Sequence, residues 1–130
     1  MAFIFYNPNP CGRLDRGDCS IRALSKALNM TWEEAYELYS IFAYNMCDIV
    51  GSDEVLTAIL RANRFTYDDL SDYPPDYTAS DFCLDHPYGV YVLFFGSHVA
   101  TVLDGNLYDS WNSLRLKPKY VWGRKHRPLF

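Results

Sequence analysis

Three residues far apart in the chain have the types that together perform nucleophilic catalysis: Cys19, His98 and Asp109. A thiol attacks only as its thiolate. The start of a helix, with unpaired N–H groups and a partial positive charge, lowers a cysteine pKa. Cys19 stands at such a place. It follows Gly17-Asp18 and precedes Ile21, Leu24, Ala27 and Leu28, which recur at helical spacing. Asp18 is the expected N-cap and Asn29 the expected end. A nucleophilic cysteine also needs a base, and the base an orienting group. His86 precedes Pro87 in a loop and His126 lies in a basic tail, so only His98 opens a strand pattern.

The segment "SHVATVLDGNLYDSW" carries both His98 and Asp109. If Asp104-Gly105 forms the two-residue turn that Asp-Gly favours, Leu103 pairs with Asn106. His98 then faces Trp111, and Ala100 faces Asp109. Directly opposed side chains share a face, so His98 and Asp109 become diagonal neighbours, about 7–8 Å apart at Cα. Asp104 sits roughly 20 Å of strand away and is assigned to turn chemistry. A lone strand histidine, or an Asp before Ser-Trp, is more often structural; the conjunction with a helix-start cysteine carries the reading.

The elements that must hold these residues read as an α+β fold in one domain over 1–130. "AFIFY" suggests a short strand running into a Pro/Asn loop. A second helix begins at Thr31, which with Glu34 forms a capping box. Its apolar face is Trp32, Ala35, Tyr36, Tyr39, Phe42 and Ala43. A third helix starts near Ser52 or Asp53, turns Val55, Leu56, Ile59 and Leu60 inward, and stops around Asn63. "TYDDLSDYPPDYTAS" reads as an exposed acidic loop, and "SDFCLDHP" as one helical turn. Strands follow at 89–95, 97–103, 106–111 and 119–125. That order predicts N-terminal helices packed on one side of an antiparallel meander.

Composition narrows the class. Half the chain is apolar (49%), which is a folded-domain value, and 130 residues suit one core. The N-terminus lacks a signal-peptide pattern, and no apolar run reaches the roughly 20 residues of a membrane helix. A soluble, intracellular protein without a membrane partner is expected. The four cysteines form no CxxC pair, so free thiols and no metal site are expected. Cys47 and Cys83 read as small core hydrophobes. The net charge is −4, yet the end is basic: Arg115, Lys117, Lys119, Arg124, Lys125 and Arg127. This reads as a solvated edge strand whose cations block edge pairing. Overall acidity and the absence of a recognised motif argue against nucleic acid. No cofactor is expected, and nothing in the sequence fixes an oligomeric state.

The order Cys, His, Asp, with the nucleophile opening a helix and the other two on neighbouring strands, resembles the papain-like cysteine peptidases. "GDCSIRALSKAL" and "HVATVLDGNLYDSW" are also similar to blocks in small phage and Firmicute proteins. The layout is similar to the leader-peptidase domains of bacteriocin exporters. The resemblance implies a papain-like fold, with Cys19 as nucleophile, His98 as base and Asp109 as orienting acid. It implies a peptidase, isopeptidase or amidase that works through a thioester on a peptide or protein substrate. The site of action would be the cytoplasm of a bacterial cell or phage-infected host. The sequence departs from that family in containing no glutamine, the residue that usually holds the oxyanion. Asn7 or Asn9 could replace it, with the Cys19 backbone N–H as second donor. The alternative is a non-catalytic binding or inhibitor protein on the same scaffold.

Overall fold

A computed structural model describes residues 2–125. His126 and Arg127 lie outside the described residues. The elements run β1 (Phe3–Phe5), α1 (Cys19–Ala27), α2 (Trp32–Asn45), α3 (Asp53–Ala62), β2 (Thr66–Asp69), α4 (Ala79–Asp85), β3 (Val90–Phe94), β4 (Val99–Leu103), β5 (Asn106–Asp109) and β6 (Tyr120–Arg124). The fold is mixed α+β: four helices and one six-stranded, mostly antiparallel sheet in the order β1-β5-β4-β3-β6-β2. β1 alone pairs in parallel, with β5.

Local chemistry sets the helix boundaries. Thr31 accepts from the Glu34 N–H while Glu34 accepts from the Thr31 N–H, completing the expected capping box of α2. Ser52 caps α3 through the Val55 N–H. Val55, Leu56, Ile59 and Leu60 are fully buried, each worth about 1.5–3 kcal/mol of burial. Asn29 takes a left-handed φ of 54° just past α1, as a helix-ending residue does.

Several elements differ from the sequence expectation. The meander holds for β3-β4-β5, but β6 crosses to the far side of β3. Part of the expected acidic loop is β2, an exposed edge strand on β6, where the Tyr67 ring packs against Tyr120 and Trp122. β6 is therefore an inner strand, not an edge. Arg124 at its end donates to the Asn63 carbonyl and lies over the Phe65 ring instead of guarding an open edge. α4 runs two turns, not one, because Thr78 and Asp81 form a second capping box.

The helices also do not share one side. α1, α2 and α3 cover one core with Val90, Val92, Phe94, Val99 and Trp122. α4 covers the other face with Tyr91, Leu93, Ala100, Val102, Leu107 and Val121. Strand alternation sends successive residues to opposite faces, and here both faces are apolar. Cys83 belongs to this second core, as expected. Cys47 does not belong to a core. It is exposed, with φ 54°, in the turn that ends α2, where the Asp48 N–H bonds back to the Ala43 carbonyl.

Candidate active site

Cys19 is the first residue of α1. Asp18 holds the N-cap position, yet its side chain caps nothing. Its carboxylate instead accepts from Arg22 Nη1 (2.9 Å), Trp32 Nε1 (2.9 Å) and Asn9 Nδ2 (3.3 Å). No side chain caps the first-turn amides and no acid sits in that turn, so the positive helix end acts on Cys19.

The hairpin carries the other two residues. Its ladder runs Leu103–Asn106, Val102–Leu107 and Thr101–Tyr108, which is the expected register. Asp104 (φ 49°) and Gly105 (φ 79°) form the turn, with both central residues in the left-handed region that a type I′ turn demands. Asp104 works in that turn, accepting from the Gly89 N–H at 3.0 Å. The β4–β5 ladder stops at Thr101–Tyr108, so the expected Ala100–Asp109 and His98–Trp111 pairs do not form. His98 Nε2 and Asp109 Oδ2 nevertheless meet directly, at 2.7 Å. The Val99 backbone N–H, beyond the end of that ladder, favours the charged form of Cys19.

This geometry shows how α1 reaches the pair. Val99 and Thr101 face α1, and the Thr101 hydroxyl donates to the Ala23 carbonyl at 2.7 Å. Ala100, Val102 and Leu107 face away, toward α4. By alternation Asp109 belongs to that second face. His98 and Asp109 lie at the ends of β4 and β5, where those two strands no longer pair with each other, and Arg22 of α1 reaches Asp109 there.

Asp109 is completely buried. Besides His98, it accepts from the Ser113 hydroxyl on Oδ2, and from the Ser110 N–H (2.7 Å) and Arg22 Nη2 (3.2 Å) on Oδ1. The Trp111 ring lies 4.8 Å from the His98 ring and remains 48% exposed, forming an outer wall over the imidazole.

The electrostatics follow from these contacts. Burial pushes the Cys19 thiol up, but hydrogen bonds with His98 and the Val99 N–H, and the charges of His98 and Arg22, bring it below its ordinary value. Burial pushes His98 down. Its hydrogen bonds to Asp109 and Cys19, with the negative charge of both, outweigh that and raise it to about 9. Burial likewise raises Asp109, and the bonds from His98, Ser113 and Ser110 hold it below its ordinary value. The three shifts point the same way: thiolate, imidazolium and carboxylate stabilise one another. With Nε2 on Asp109, Nδ1 is the ring nitrogen left for the sulfur.

The oxyanion candidates sit in the loop before α1. Asn7 Nδ2 donates to the Arg13 carbonyl at 3.4 Å, and Asn9 donates to Asp18. Asn9 lines a cleft of about 470 Å³ together with Gly17, Asp18, Ile21, Trp32 and Tyr36, the immediate neighbours of Cys19 among them. Asn7 is not on that lining.

Sequence reasoning missed Arg22 and Ser113. In the sequence Arg22 lies off the apolar stripe of α1, yet it is 5% exposed and bridges two carboxylates. Its signal was the i,i+4 spacing from Asp18. Ser113 lies in a loop and gave none. Among the described residues, no group of three or more His, Cys, Asp or Glu is placed to hold a metal. No helix among them is long and apolar enough to cross a membrane. No family model matches the chain, and no curated protein or solved structure matches it.

Proposed function

We propose that this chain is a cysteine-nucleophile hydrolase of papain-like type, acting on peptide or protein amide bonds through a thioester. The observation that carries the reading is the 2.7 Å bond between His98 Nε2 and a fully buried Asp109, with the helix-start Cys19 close enough for its charge to help raise His98. A merely structural histidine does not need a buried carboxylate on one nitrogen and a helix-start thiol in its field.

The steps use groups already in place. The Cys19 thiolate attacks the carbonyl carbon, forming a C–S bond and placing negative charge on the oxygen. The Cys19 N–H and the first-turn amides of α1 receive that charge. Asn9, bonded to Asp18 beside Cys19 in the chain, is the proposed side-chain donor; its amide nitrogen carries a second hydrogen beyond the one given to Asp18. The C–N bond then breaks as the His98 imidazolium gives its Nδ1 proton to the leaving amine. Neutral His98 next takes a proton from water, whose oxygen attacks the thioester and releases acid and thiolate. Asp109 holds the ring throughout and stabilises its charged form.

The test is site-resolved alkylation by iodoacetamide, read by peptide mass spectrometry. At pH 6 a thiol of ordinary pKa is under about 1% thiolate. Cys19 should be modified far faster than the exposed Cys11 and Cys47, and His98→Ala should abolish the difference. Equal labelling of Cys19 and the exposed thiols at pH 6 would refute the assignment and leave the scaffold as a binding module.

A further inference from the structure

We infer that Arg22 is a positioning residue, a clamp that locks Asp109 to the helix carrying Cys19 and keeps the triad in its charged register. The inference rests on the proposed hydrolase site and concerns a residue outside the triad. Arg22 lies three residues after Cys19 on α1, so both project from one side of the helix. Its two terminal nitrogens divide the work: Nη1 binds Asp18 at 2.9 Å and Nη2 binds Asp109 Oδ1 at 3.2 Å. Asp18 is in turn fixed by Trp32 and Asn9. The guanidinium thus reaches a residue 87 positions away, and ties the strand that orients His98 to the helix that presents the thiol.

Charge balance gives the clamp its purpose. In the reactive state the cluster holds three anions (Cys19, Asp18, Asp109) and two cations (His98, Arg22). Without Arg22, three anions would face one cation in a buried site. The least costly response is protonation of the sulfur, which carries the chemistry. Arg22 also bears directly on Cys19 by charge. The groups facing the cluster are Asp18 at the N-cap of α1, Cys19 and Arg22 on α1, His98 before β4, Asp109 at the end of β5 and Ser113 beyond it. Tyr6 after β1 lies in the field of Arg22. A lysine could not replace the fork, because one ammonium cannot span two carboxylates in fixed planar geometry.

The test is the pH profile of Cys19 alkylation in Arg22→Met and Arg22→Lys, with folding checked by circular dichroism. In both variants the onset of alkylation should move to higher pH by about one unit, an approximately tenfold slower reaction at pH 6. The lysine variant should not recover more than a small part of this. Asp18→Asn, which removes one anion from the cluster but keeps Arg22 on Asp109, should move the onset to lower pH by the same charge balance, and it decides the question if the Arg22 variants do not fold: an onset that stays or rises would overturn the clamp. An unchanged onset in folded variants would overturn the clamp while leaving the hydrolase reading intact. A wild-type chain with no low-pH onset would instead remove the hydrolase reading itself. Full recovery by lysine would show that charge alone suffices and would also overturn the clamp.

Discussion

His98 Nε2 and Asp109 Oδ2 stand 2.7 Å apart although the strands that carry them stop pairing at Thr101–Tyr108. The contact is made by side chains reaching across strand ends, not by the ladder. Arg22 of α1 reaches Asp109 at the same place, at 3.2 Å.

The coupled shifts define a pH window for activity. Cys19 is lowered, so the thiolate is present above that lowered value. His98 is raised to about 9, so the imidazolium, the proposed donor to the leaving amine, is lost as pH rises through about 9. Amide hydrolysis should therefore follow a bell with its upper limb near pH 9. Single-turnover rates across pH would check this; a rate still climbing at high pH would contradict the acid role of His98.

The same shift enters stability with a fixed sign. A histidine raised on folding contributes stability that is fully present below its unfolded pKa of about 6.5 and is lost as pH rises through the folded value. The stability difference between wild type and His98→Ala should thus be largest in mild acid and shrink through pH 9. Urea titrations at several pH values measure it.

Asp109→Ala removes the acceptor for His98, Ser113, Ser110 and Arg22 at once and leaves Arg22 buried with Asp18 alone. Breaking a buried ion pair from one side costs about 3–5 kcal/mol. Asp109 is lowered on folding, so its contribution is present above its unfolded pKa and disappears as pH falls through the lower folded value. The deficit of the variant should be full at neutral pH and narrow only in strong acid. Asp109→Asn should keep more of the fold yet slow turnover by roughly 10²–10⁴-fold, because the amide no longer holds the charged imidazole.

Asp104→Ala separates fold from chemistry. The turn needs a left-handed φ of 49° there, and the carboxylate accepts from the Gly89 N–H. Loss of both should cost about 1–3 kcal/mol. The pH onset of Cys19 alkylation should not move, since the turn lies at the other end of the hairpin. A moved onset would mean that the hairpin transmits strain to His98.

Trp111→Ala should open the site without unfolding it. The ring is half exposed and contacts His98 at 4.8 Å; such contacts are worth about 0.5–1.5 kcal/mol. Water reaching the imidazole should weaken its coupling to Asp109 and lower the upper limb of the activity bell. NMR titration of His98 would register this directly.

The sequence by itself determined what is local. Thr31-x-x-Glu34 specified a capping box because both partners lie within one turn. Asp104-Gly105 specified the turn and hence the hairpin register, because few residues accept left-handed backbone at both positions. The helix-start place of Cys19 and the common face of His98 and Asp109 followed from spacing alone. Tertiary structure decided what depends on distant partners. Thr66–Asp69 has an acidic, loop-like composition and became a strand only because β6 offered its edge. Cys47 sits among apolar residues in the chain but ends a helix in solvent. Asp18, a good cap by type, surrendered that role to the stronger charge-assisted bonds of Arg22. Arg22 itself looks like an exposed helical residue until the fold brings Asp109 to it, 87 residues away. A buried cation is tolerated only where opposite charge already waits, and periodicity in one helix carries no record of what the far strand supplies.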